Sequence, residues 1–99
     1  YAEEFARQKL VNRGSSVRRV HQDLSRRGIS SEVARAAVER VRDTEVVDIV
    51  ASIEAVARKK LASMGDLDEE TKRRRLFGFL ARRGFELEDI KWAIGLTWR

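Results

Sequence analysis

Leu24-Ser25-Arg26-Arg27-Gly28-Ile29 and Leu80-Ala81-Arg82-Arg83-Gly84-Phe85 are two versions of one phrase: apolar, small, two arginines, glycine, apolar. Each reads as the end of a helix. The arginines suit a last turn, where backbone carbonyls lack partners and the dipole favours positive charge. The glycine takes the left-handed conformation that stops the helix. Ile29 or Phe85 then packs just ahead of the next helix, as a hydrophobic staple does. One such phrase in each half predicts a tandem repeat.

The spacing of apolar residues outward from these phrases is helical throughout. The first helix is predicted over about Ala2–Arg13, stopped by Gly14. Ser15 or Ser16 caps a second over about Ser16–Arg27, with Val17, Val20 and Leu24 on one face. Ser30 caps a third over about Ser31–Arg42, with Val33, Ala37 and Val41 inward. Asp43 or Thr44 caps a fourth over about Thr44–Ser63, with Val46, Val50, Ile53, Ala57 and Leu61 inward and Gly65 as its stop. Asp66 and Glu69 form a capping-box pattern before a fifth helix, Asp68–Arg83, which buries Leu76, Phe79 and Leu80. The sixth spans Leu87–Thr97, with Ile90, Ala93 and Ile94 inward and Trp92 packed at the core edge.

The halves also share Ala6-Arg7-Gln8-Lys9-Leu10 and Ala57-Arg58-Lys59-Lys60-Leu61. The expected fold is all-α, with about six helices in tandem three-helix repeats, 1–42 and 43–99, set as a right-handed or open array. A unit of about 45 residues buries little by itself, so stacking must join the two cores.

Composition narrows the function classes. There are no cysteines, which excludes disulfides and zinc–thiolate sites, and one histidine, which leaves a metal site almost nothing but carboxylates. No uncharged run exceeds the seven residues Trp92–Trp98, so nothing in the sequence spans a membrane as a helix. The absence of proline suits long helices. The chain is expected to be soluble and cytoplasmic, and a piece of a longer protein. Its net charge of +5 favours an anionic partner.

Catalytic patterns are absent from the reading. His21 has no serine or cysteine at a triad spacing and reads as a boundary or surface histidine. Asp66, Asp68, Glu69 and Glu70 complement a helix start. The scattered glycines form no phosphate loop. The expectation is a binding protein, not an enzyme, with no cofactor, catalytic residue, metal or small-molecule substrate.

The informative cluster is basic. From Thr71 to Phe85 there are six basic residues and no acid. Arg18, Arg19, Arg26 and Arg27 form a smaller counterpart. The candidate partner-binding residues are Arg26, Arg27, Lys72, Arg73, Arg75, Arg82, Arg83 and Lys91. Arginine's planar fork pairs bidentately with phosphates or carboxylates. A solvated face with helix-end charge complement explains the same residues without a partner. Gly78, inside a good helix, reads either as a close helix approach or as tolerated drift.

The line from Tyr1 through Ala6, the glycine-led second helix, Leu24 to Ile29, and above all Leu76–Ile94 resembles the RecX family of bacterial regulators. The resemblance implies tandem three-helix repeats, of which this chain holds the second and third. It also implies binding along the groove of the RecA–DNA filament, restraining its ATPase and strand exchange, with non-specific contact to single- or double-stranded DNA as a further expectation. The alternative is a helix-turn-helix DNA reader built on Leu24–Ser30. Glu32 and Glu39 on its reading helix oppose the phosphate field.

Overall fold

A computed structural model describes residues 1–98, which are all-α. Helix α1 (Ala2–Arg7) runs into a wider π-helical stretch, Gln8–Asn12. There follow α2 (Val17–Arg26), α3 (Ser31–Ala62), α4 (Glu69–Arg82) and α5 (Leu87–Thr97). The molecule is a rod of 45 × 24 × 18 Å. α3 is its spine, and each of the other helices packs against it. One continuous apolar core runs through both halves, including Leu10, Val20 and Leu24 from the first and Ile53, Leu76, Leu80 and Ile90 from the second.

The two Arg-Arg-Gly phrases close their helices identically. The Ile29 amide donates to the Leu24 carbonyl (3.0 Å) and Gly28 to Ser25 (3.0 Å). The Phe85 amide donates to Leu80 (3.4 Å) and Gly84 to Ala81 (2.9 Å). This is the paired Schellman closure, with glycine at positive φ, 84° at Gly28 and 94° at Gly84. Phe85 is buried and Ile29 packs against the core, as a staple requires.

The expected third and fourth helices are one. The chain stays helical through 42–46, broken only by a kink at Glu45 (φ −130°, ψ 31°). Two causes are visible. No residue there readily adopts the left-handed turn that ends a helix. Thr44, expected as a cap, instead donates its hydroxyl to the Arg40 carbonyl at 3.0 Å, the back-bonding that bends a helix without ending it. Arg7 of α1 reaches Glu45 at 2.9 Å and ties the kink to the first helix.

Smaller differences follow from local geometry. Val33 is exposed, and Ala34, Ala37, Val38 and Val41 form the buried face. Asp68, not Asp66, stands at the start of α4, without a side-chain capping bond. The π-helical turn is completed from outside: the Ser52 hydroxyl of α3 donates to the Val11 carbonyl. Asp89 is buried and accepts from Arg42, joining α5 to the middle of the spine. Burial alone lowers the Arg42 pKa, but the hydrogen bond and charge of Asp89, with Glu86 and Asp43, outweigh it and hold the guanidinium above its ordinary value.

Candidate functional site

Six cationic side chains gather in a groove of about 800 Å³ where the halves meet. The π-helical turn supplies Lys9, and Arg13 follows at its end. The first turn of α2 supplies Arg18 and Arg19, and the end of α4 supplies Arg82 and Arg83. Six cationic side chains thus face one carboxylate, Asp23. That carboxylate is already engaged, 3.3 Å from Arg19 and 3.2 Å from Arg26.

Each wall has a local cause. Gly14, at φ 62°, turns the chain sharply after Arg13. Ser16 then caps α2, accepting from the Arg19 amide at 3.1 Å, and fixes the helix start beside the groove. The Arg18 guanidinium donates to the Arg82 carbonyl, an orphan at the end of α4, and so bridges the halves. Gly84 makes room for that bridge: a Cβ there would lie 2.7 Å from the Arg18 Cβ and 2.8 Å from its Nε.

The residues expected from the sequence disperse. Arg82 and Arg83 line the groove, and Arg83 also lies over Phe79 and Phe85 at 5.5 and 5.8 Å. Arg26 and Arg27 sit at the far end of α2. Arg26 pairs with Asp23; Arg27 donates to the Tyr1 hydroxyl at 2.8 Å and lies 4.6 Å over Phe5, clamping α1. Arg75 shares a hollow between α3 and α4 with Lys60, Arg74 and Arg82. Arg73 lies over Trp98 at 5.1 Å and, with Lys91, lines a hollow between α4 and α5. Lys72 is half-buried on α4 and lines none of these. Gly78 is crossed by the guanidinium of Arg82 on its own helix, 3.2 Å from where a Cβ would stand, so it serves no close helix approach. Trp92 is 59% exposed, against the expected core-edge packing.

Sequence reasoning missed Lys9 and Arg13, and noted Arg18 and Arg19 only as a counterpart. A usable signal was present. Arginines in a helix's first turn oppose the dipole, and α2 has no acid there. Such local conflicts concentrate at functional sites.

Residues 1–38 match the family model described as RecX, second three-helix domain, and residues 47–94 match RecX, third three-helix domain. The chain belongs to the RecX family. The kink at Glu45 lies in the interval that neither RecX model covers. Similar relatives include the regulatory protein RecX of Amycolatopsis mediterranei, 38% identical over 85 residues, 86% of this chain and 47% of the relative. The regulatory protein RecX of Chromohalobacter salexigens is 34% identical over 99 residues, 99% of this chain and 60% of the relative. The chain thus spans about half the length of these RecX relatives. No solved structure matches it. No helix among the described residues is long and apolar enough to cross a membrane.

Proposed function

We propose that this chain acts as RecX-family regulators are expected to act on RecA: it binds the RecA–DNA filament and restrains ATPase and strand exchange, without catalysis of its own. Residues 1–42 and 43–99 serve as its two repeats. The observation that carries the reading is the inter-repeat groove, where six cations from both halves converge on one already-paired carboxylate. Such a surface suits an anionic partner, the phosphates or acidic side chains of a nucleoprotein filament. The 45 Å length of the rod suits a partner that extends along its axis. The helix-turn-helix alternative would need its cations on the first turns of α3. They gather instead at the start of α2 and the end of α4.

The test is RecA's DNA-dependent ATPase with the purified chain at micromolar concentration. The wild-type chain lowers the rate, and Arg13→Glu/Arg82→Glu, one reversal in each half, relieves the inhibition while circular dichroism shows intact helices. A wild-type chain that leaves the ATPase untouched removes RecA as the target. A double variant that inhibits fully removes the groove as the contact.

A further inference from the structure

Gly78 stands inside α4, where glycine costs about 1 kcal/mol relative to alanine. The bare backbone there is occupied by another side chain. A Cβ at Gly78 would lie 3.2 Å from the Arg82 Nη1, so the guanidinium of Arg82 folds back along its own helix and rests over the glycine. Arg82 thereby borders two hollows. On one side is the inter-repeat groove. On the other is a hollow of about 710 Å³ between the end of α3 and α4, lined by Lys60, Met64, Leu67, Arg74, Arg75 and Gly78.

The two hollows share one electrostatic field. Lys60 of the hollow and Arg83 of the groove both lie over the Phe79 ring, 4.9 and 5.5 Å from its centroid. Their charges are therefore no further apart than about a Debye length, about 10 Å in 0.1 M salt. The hollow adds Lys60, Arg74 and Arg75 to the six cations of the groove, with Arg82 common to both. Of these nine, Arg19 alone is ion-paired among the described residues. No carboxylate lines the hollow, and Asp23 alone lines the groove. Arg74, Gly78 and Arg82 follow at intervals of four along one side of α4. One turn earlier on that side comes Glu70, and Asp66 and Asp68 flank Leu67 in the chain, so the basic surface ends at the start of α4.

The number and layout of these charges favour one class of partner. A nucleic-acid strand carries one charge per nucleotide by constitution, whereas a peptide matches nine cations only when nearly every residue is acidic. The rod is 24 by 18 Å across, so a duplex is about as broad as the protein and cannot lie between its helices, but a single strand can. We propose that the inter-repeat groove and the hollow between α3 and α4 form one track, joined by the Gly78–Arg82 saddle, along which a single nucleic-acid strand lays its phosphates. The proposal rests on the reading of the inter-repeat groove as an anion-binding surface, extends it to a site outside that groove, and does not depend on RecA being the target.

The experiment reads fluorescence anisotropy of a labelled thymidine oligonucleotide of about 12 nucleotides, within the footprint of single-strand binders, against the whole chain without RecA. Gly78→Gln fills the saddle with an uncharged side chain that also favours the helix. Arg75→Glu reverses a charge that lines the hollow alone. Each weakens binding at least about tenfold, with the helical circular dichroism of the wild type. Arg75→Gln lowers the slope of log K against log salt by about 0.7, the share of one phosphate contact to a single strand. Arg35→Glu, an equal change of net charge outside both hollows, weakens binding less than about threefold. A wild-type chain that does not bind the strand, an Arg35→Glu loss as large as that of Arg75→Glu, or unchanged affinity in both Gly78→Gln and Arg75→Glu overturns the track. The inter-repeat groove is then judged separately, by Arg13→Glu/Arg82→Glu in the RecA assay. A duplex of the same length that binds as tightly, or polyglutamate that displaces the strand as well as unlabelled oligonucleotide does, overturns the choice of partner.

Discussion

Gly84→Ala and Gly28→Ala form a controlled pair, because the two glycines share one backbone role and differ in one neighbour. Both close a helix by the same two hydrogen bonds at similar φ, 84° and 94°. An L side chain in that region costs about 1–2 kcal/mol, partly offset by about 0.4–1 kcal/mol from a less flexible unfolded chain. At Gly28 an added Cβ meets nothing within 4 Å, so the net cost there is about 1 kcal/mol. At Gly84 the Cβ would stand 2.7 Å from the Arg18 Cβ and 2.8 Å from its Nε, well inside carbon contact distance. Overpacking of this kind costs about a further 1–3 kcal/mol. Urea denaturation should therefore place Gly84→Ala about 1–3 kcal/mol below Gly28→Ala. At about 4–8 °C per kcal/mol for a domain of this size, its melting point should fall about 4–24 °C lower. Adding Arg18→Ala to Gly84→Ala should recover only part of the loss, since the Cβ at position 18 remains. Equal costs for the two alanines, within about 0.5 kcal/mol, would mean that Arg18 does not lie against Gly84. The joint between the halves would then be built some other way.

Three further outcomes follow from other contacts. Asp89→Ala strands the Arg42 guanidinium; breaking a buried pair costs about 3–5 kcal/mol, and because the Arg42 side chain is 23% exposed the loss in urea should be about 2–4 kcal/mol. The Arg42 pKa is raised, so the stability its charge contributes is full below the ordinary value and is lost only as pH climbs through the raised one; the Asp89→Ala deficit should not shrink through Arg42 deprotonation up to about pH 10. Ser52→Ala leaves the Val11 carbonyl without its partner and should cost about 1–2 kcal/mol, with faster amide exchange confined at first to residues 8–15. If the inter-repeat groove takes phosphates, Arg13→Gln should lower the slope of log K against log salt for DNA binding by about 1.

Much of the fold was legible because its punctuation is glycine. Gly14, Gly28, Gly65 and Gly84 end the segments that helical periodicity marks out, and all four have positive φ. The join at 42–46 misled because the repeat logic demanded a break that the residues could not make. Asp43 and Thr44 can cap a helix start, but a cap matters only where the preceding helix has stopped. With no glycine or proline there, the backbone continues and the repeat boundary becomes a bend. The exposure of Trp92 was hidden for another reason. It is adjacent in sequence to the buried Ala93, but one residue along a helix is a turn of about 100° around it.

The candidate site was half legible, and the two arginine pairs show why. Sequence equivalence assigns Arg26-Arg27 and Arg82-Arg83 the same backbone work, and the matching Schellman closures bear that out. It does not assign their side chains the same work. Arg27 meets Tyr1 and Phe5, whereas Arg82 and Arg83 meet the groove that α2 and the π-helical turn bring to them. Helix ends are fixed by residues within one turn, so repeats share them. Side-chain environments depend on what stands next in the array, and the first repeat has α1 beside its phrase where the second has the first repeat itself. A repeat protein can therefore keep one closing motif in every unit and still build its charged groove only at the joint between units.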